Sequence, residues 1–290
     1  MGIALWPWFL TRLAREDLST VNRWHLVPFL SLTATRSRVA SGKWQVLTPA
    51  SAGRKLIPGL EEARTQDFLA SLSPSLPFRS PAAFVGLIRA TAGPKYLALP
   101  RLIGALGLFG FLPTLRALQA GLSRPLPSLA EATFYSPLPI QWGEAAVKFA
   151  FFPGDSTAPS ALARGDDPER LGTDLRARLA EGALSWELRI QCWVDEARTP
   201  IEDATVLWDP LVTPWVTVAR LELPRQDLGA PEALVRAARI EQLSFDAWHA
   251  PVAFRPLGAF MRARAAAYRE SVAERGVDAE PTGEEGWLRG

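Results

Sequence analysis

Arg264 and Tyr268 are the residues whose types and spacing could do chemistry together. They stand four positions apart in an Ala- and Arg-rich run from Ala259 to Glu274, a composition with high helix propensity. Pro256 and Gly258 lie where such a helix can begin, and four-residue spacing puts both side chains on one face, one turn apart. A guanidinium beside a phenol favours the phenolate, and a phenolate oxygen is a proximal ligand for ferric haem iron. The alternative is a tyrosine that packs its ring on a solvated helix, because Arg-x-x-x-Tyr arises readily in this composition.

The rest of the composition narrows the chemistry. The 290 residues contain one cysteine, Cys192, and two histidines, His25 and His249. No intrachain disulfide, Cys-rich zinc site or iron–sulfur cluster can be built from them. Metal chemistry is therefore left to carboxylates or to a cofactor that brings most of its own ligands, as haem does. There is no Gly-x-Ser-x-Gly elbow, no Walker-type loop and no His-Glu-x-x-His run. The adjacent carboxylates Glu202–Asp203 and Asp166–Asp167 point apart if they lie on strands, and read as solvated turn residues. With 32 basic and 30 acidic side chains interspersed, net charge +2, no basic face for nucleic acid is implied.

The elements that must position these groups follow from periodicity. Val147, Phe149 and Phe151 alternate with Lys148 and Ala150 across Ala145 to Pro153, which predicts a half-buried strand. Trp186, Leu188, Ile190, Cys192 and Val194 alternate with Glu187, Arg189, Gln191 and Asp195; Cys192 then lies on the apolar face as a small core residue and not as a nucleophile. Trp215 to Leu223 alternates less cleanly, which predicts a strand buried on both faces. Leu171, Leu175 and Leu179 line one side of an expected helix from Leu171 to Leu184, after a polar turn at Arg164 to Pro168. Upstream, Ser80–Pro81 opens a helix carrying Phe84, Leu87 and Ile88, which Gly93–Pro94 ends. The apolar, glycine-broken run Leu102 to Leu115 is too short to span a membrane and reads as a buried helical hairpin, with a peripheral membrane contact as the lesser reading. Ile3 to Leu10 is apolar but short and lacks a preceding basic residue, so no export signal is recognised and a cytoplasmic location is expected. Strands at intervals followed by terminal helices predict an α+β fold around an antiparallel sheet or barrel.

Three ordered stretches resemble the haem catalase superfamily, and its small catalase-like members in particular. Trp248–His249, Arg255–Pro256–Leu257–Gly258 and Arg264-x-x-x-Tyr268 are similar to its C-terminal signature. Thr133–Ser136 with Trp142–Gly143–Glu144 and Val147–Lys148–Phe149 resembles its central segment. Pro200–Ile201–Glu202–Asp203–Ala204 and Trp208 resemble its proline-hydrophobic-Glu-Asp-Ala stretch. The similarity begins near Gly42–Leu47 and continues through Thr65–Gln66–Asp67–Phe68–Leu69, which looks like the family's strand on the distal side of haem.

The resemblance implies an antiparallel catalase-like β-barrel, closed or incomplete, with helical insertions and a C-terminal proximal-haem helix. It divides the chain into a divergent or shortened segment 1–41, a haem domain 42–275 and a loose tail 276–290. It implies ferric haem b, with Tyr268 on the iron, Arg264 behind it and Phe68 beside the cofactor. The implied activity is that of an oxidoreductase, a catalase or peroxidase acting on hydrogen peroxide or on an organic or lipid hydroperoxide. A homo-oligomer is also within what the resemblance implies. The family's distal histidine section is not visible before Gly42. His25, the only histidine there, is the candidate catalytic distal base, but it lacks the family's Arg-x-x-His-x-x-Gly setting and reads more readily as a surface or loop histidine. Phe254 and Met261 stand where histidine and asparagine are common, and no asparagine follows Arg64. His249 is expected to hold the segment that presents Tyr268, with a haem-edge contact as the lesser role. A non-catalytic haem-binding or apo relative is the alternative function.

Overall fold

The computed structural model describes residues 41–47, 53–63, 65–91, 95–107, 110, 112, 114, 116, 126, 128–154, 170–241 and 244–276. In chain order the elements are β1 Ser41–Leu47, β2 Thr65–Ser71, α1 Pro81–Thr91, α2 Lys95–Leu106, β3 Phe134–Tyr135, β4 Ile140–Trp142, β5 Ala145–Pro153, α3 Arg170–Glu181, β6 Leu184–Cys192, β7 Val216–Leu223, α4 Pro231–Glu241 and α5 Gly258–Arg275. The expected α+β class is observed. All seven strands form one antiparallel sheet in the order β1-β2-β3-β5-β6-β7, with β4 paired to β5, curled into a half-barrel.

The centre of that sheet is made by β5 and β6, whose register sets Val147 against Cys192, Phe149 against Ile190 and Phe151 against Leu188. One face of β5 carries Val147, Phe149 and Phe151, all buried, and Phe68 of β2 meets both phenylalanines edge-on at 5.0 and 5.9 Å between ring centroids. Each such aromatic pair adds about 0.5–1.5 kcal/mol beyond its buried area. The other face of β5 is covered too, since Lys148 and Ala150 are equally buried. The strand is thus not half-buried as its alternation predicts, because the segment around Trp208 closes over its second side.

β7 departs in the opposite sense. Only Leu221 and Leu223 are buried, and Thr217, Arg220 and Glu222 are exposed or nearly so. It ends the described sheet, so one of its edges has no paired strand, and a bulge opposite Leu188 and Arg189 of β6 shifts its register. Val216 and Val218, the residues that break the alternation and predict double burial, are only partly buried, and full burial is confined to Leu221 and Leu223 at the C-terminal end.

Ser80 caps α1, its hydroxyl accepting the Ala83 N–H at 3.3 Å. α1 and α2 pack as a helical pair, but α2 starts at Lys95 and ends at Leu106, with Gly107 in the left-handed region at φ 73°. Gly110, Leu112, Thr114 and Arg116 are helical as well, so among the described residues the run expected as a helical hairpin over Leu102 to Leu115 is helical on both sides of Gly107. It is less buried than expected: Leu102, Ile103 and Leu106 are half-buried and Leu112 is exposed. α3 ends at Glu181, and Leu184 is the first residue of β6. No described helix is long and apolar enough to cross a membrane. His25, segments 1–40 and 155–169, and the tail beyond Gly276 lie outside the described residues.

Candidate functional site

α5 begins under three constraints from distant parts of the chain. Gly258 has φ +86°, and a Cβ there would stand 3.1 Å from the Ile201 carbonyl oxygen, so glycine is required on both counts. Leu257 offers no side-chain cap. Instead Glu202, from the turn before β7, accepts the Ala259 N–H on its Oε2 at 2.7 Å and has its Oε1 3.5 Å from Arg262. A carboxylate at a helix N-terminus satisfies an orphan donor and opposes the helix dipole. One turn further in, the Trp248 indole N–H donates to the Met261 carbonyl at 2.8 Å. Glu202 is exposed in a bend, as a solvated turn carboxylate is expected to be, and it is also a positioning residue; its distance of 57 residues from Ala259 hides that second role from local pattern.

With its start held, α5 presents Arg264 and Tyr268 together. The Arg264 Nε donates to the Tyr268 hydroxyl oxygen at 3.2 Å, Nη2 makes a second, closer contact, and the guanidinium carbon lies 5.1 Å from the ring centroid. Both residues are half-buried. They line a cleft of about 430 Å³ whose other walls are mainly apolar, among them Leu69, Leu76, Phe78, Phe84 and Phe260. That size and lining suit a flat hydrophobic ligand fixed by a few polar groups.

Behind Arg264 lies a buried acidic cluster. The Asp246 N–H donates to Asp67 Oδ2 at 3.1 Å, and Asp246 Oδ1 accepts the Trp248 N–H at 3.0 Å. Burial pushes the Asp246 carboxyl above its usual range; the Trp248 N–H opposes this, Asp67 adds to it, and Arg264 and His249 pull it back. His249 is fully buried, with Nδ1 3.2 Å from Asp67 Oδ1 and Nε2 3.1 Å from the Thr65 hydroxyl. Its carbonyl accepts the Asp67 N–H at 3.0 Å. It ties the segment before α5 to β2 and is not among the residues that line the cleft.

No family profile and no curated protein matches the sequence. Solved structures do match. A bacterial catalase superposes with a TM-score of 0.57 at 16% identity, covering 82% of this chain and 46% of that one. A fungal catalase gives 0.57 at 14% identity, covering 89% and 51%. Catalase A from Saccharomyces cerevisiae gives 0.56 at 14% identity, covering 82% and 54%. The fold is catalase-like. The chain spans about half the length of these three structures.

On this catalase-like sheet the site residues read from sequence are only partly brought together. Arg264 and Tyr268 share the cleft. Phe68 does not reach it: Leu69, Ala70 and Ser71 of β2 line the cleft, while Phe68 packs edge-on against Phe149 and Phe151 in the aromatic core. Phe254 stacks edge-on against Trp142 at 4.8 Å, and Met261 is buried in the core, so the two departures from the family pattern serve packing. The donor set fits a ferric porphyrin: a phenol hydroxyl held by a guanidinium, facing apolar walls. No histidine lines the cleft among the described residues. Asp67 and Asp246, which sequence reasoning passed over, are buried acids near the start of β2 and before Trp248. Their signal was an acid inside an otherwise apolar segment.

Proposed function

We propose that this chain is a catalase-like haem protein in which Tyr268 is the proximal ligand and Arg264 holds its oxygen in place. The observation that carries this reading is the Arg264 guanidinium donating to the Tyr268 hydroxyl at the wall of an apolar cleft. Two N–H groups of one guanidinium fix the position of that oxygen at the cleft wall. Bound haem would supply a ferric centre at which the oxygen–oxygen bond of hydrogen peroxide or an organic hydroperoxide is broken. The apolar walls would hold the porphyrin, and Glu202 and Trp248 fix the helix that carries the phenol.

A second reading has its own observation. Fast peroxide turnover requires a base that carries a proton between the two oxygens, and the described cleft lining offers no histidine or carboxylate. A haem-binding relative without turnover accommodates that lining.

Titration of the purified chain with ferric haem separates the readings. A high-spin tyrosinate spectrum with rapid oxygen release from hydrogen peroxide supports the enzyme; the same spectrum without oxygen release supports the haem-binding protein. Failure to take up haem overturns both. Tyr268→Phe is expected to abolish the tyrosinate spectrum while leaving the fold intact, and an unchanged spectrum would reject the ligand assignment.

A further inference from the structure

A second pocket, of about 390 Å³, lies where β5 and β6 meet the loop Leu207–Pro210, and it shares no lining residue with the Tyr268 cleft. Lys148 lines it from the centre of β5, 3% exposed. Its Nζ donates to the Val206 carbonyl at 3.2 Å and stands 5.2 Å from the Trp208 ring centroid. An ammonium has three N–H donors, and among the described residues Val206 is the one oxygen acceptor given to it, the Trp208 ring facing it besides. We propose that this pocket binds a small aromatic carboxylate, its two oxygens taken by Lys148 and its ring held between Trp208, Trp215 and Tyr135.

The neighbouring charges do not satisfy Lys148 themselves. Asp203 attracts it, but that carboxylate is taken up by Arg79 at 2.7 Å and by the Thr205 hydroxyl and N–H at 2.6 and 3.1 Å. Asp209, at the rim, is exposed and accepts the Leu211 N–H at 2.9 Å. The Gln191 amide nitrogen donates to the Trp208 and Thr213 carbonyls at 3.1 and 2.7 Å, and the Ser136 hydroxyl to the Leu138 carbonyl. Burial pushes the Lys148 amine down to about 8, with Asp203 acting the other way, so at neutral pH the group is still largely the ammonium. A buried cation with open donors costs stability unless an anion completes it.

The anion's class follows from the walls. A single ammonium, with no guanidinium in the lining, matches a monoanion better than a phosphate dianion, for which arginine or a helix N-terminus is the usual partner. Tyr135 and Trp215 stand 6.3 Å apart by centroid, and Phe152 backs both, so the pocket is walled by aromatic faces. Leu207 and Leu211, 58% and 94% exposed, sit on the loop at its edge and give an apolar body a place to land.

The test is calorimetric and needs no haem, so its outcome is independent of the reading for Tyr268. The full chain is titrated at neutral pH with naphthoate, with the neutral naphthyl methanol, and with inorganic phosphate. Naphthoate is expected to bind at least about tenfold more tightly than the alcohol, the worth of a charge-assisted hydrogen bond, and more tightly than phosphate. Its affinity should fall as pH rises above about 8, where the free amine loses its proton. Lys148→Met should erase the preference for the acid, and Trp215→Ala should weaken acid and alcohol alike. Equal affinity for acid and alcohol, tighter phosphate binding, absence of naphthoate binding, or an affinity unchanged to strongly alkaline pH would each overturn the proposal.

Discussion

Arg264 and Lys148 are the cations of two pockets, and they are held in opposite ways. Arg264 projects from a helix, half-buried, and meets its phenol partner four residues along the same element. Lys148 projects from a central strand, almost wholly buried, and its partners Val206 and Trp208 arrive from a loop 58 and 60 residues away. The first cation is tuned by a local pair that could form in an isolated helix. The second is tuned by desolvation, which exists only once the tertiary structure has closed. Chemistry built on a helix face can therefore be changed at one residue with the fold left standing, whereas chemistry built into the sheet is coupled to stability.

The sharpest way to test that contrast is the pH dependence of unfolding. In the unfolded chain Lys148 holds its proton to about 10.5, and in the folded chain only to about 8. Between those values the unfolded state binds more protons, so the contribution of this group to stability rises with pH across the window. Its span is of the order of 3 kcal/mol for a shift of this size. Lys148→Met should flatten that rise in denaturant unfolding, and should cost little at neutral pH because an apolar isostere has no charge to bury. A variant whose stability keeps the wild-type slope between pH 8 and 10.5 would show that burial does not govern this amine.

The same contrast explains what was legible in the sequence. Arg264 and Tyr268 could be paired by counting residues, and β5 and β6 by their alternation, because both signals are local. The covering of β5 by the Trp208 segment, the exposure of β7 and the turn of Phe68 away from the cleft are not local. Each depends on which layer packs on which face, and an alternating strand looks the same whether its polar side meets water or a loop. Lys148 was read as the outward residue of a half-buried strand for this reason. Glu202 and Asp203 do lie in a solvated bend, but their roles there are not local either: one carboxylate caps α5 and the other pairs with Arg79.

Arg264→Met probes the helix side of the comparison. Loss of the group that orients a metal ligand typically costs about 10–100-fold in affinity, so ferric haem should bind that much more weakly, and the thermal midpoint of the haem-free chain should scarcely move. Arg264→Lys should recover only part of the affinity, since an ammonium cannot deliver the paired N–H groups of a guanidinium. Haem titration followed by absorbance reads both. A large drop in the haem-free midpoint would place Arg264 with Lys148 as a fold-coupled cation and dissolve the distinction.

The smallest expected effect lies at the junction of the two regions. Glu202 caps α5 while its neighbour Asp203 attracts Lys148, so a single turn serves both pockets. Glu202→Ala leaves the Ala259 N–H without its acceptor, which costs about 1 kcal/mol. The loss should appear as faster amide hydrogen exchange confined to the first turn of α5, around Ala259 to Arg262, because Trp248 still holds the Met261 carbonyl one turn on. Glu202→Gln keeps an acceptor but removes the charge that opposes the helix dipole, a change worth about 0.3–1 kcal/mol. If the two regions are independent, neither variant alters naphthoate binding at Lys148, whereas Asp203→Asn does. A change in naphthoate affinity on Glu202→Ala would mean that the turn transmits between the pockets, and that the helix start and the Lys148 site form one structural unit.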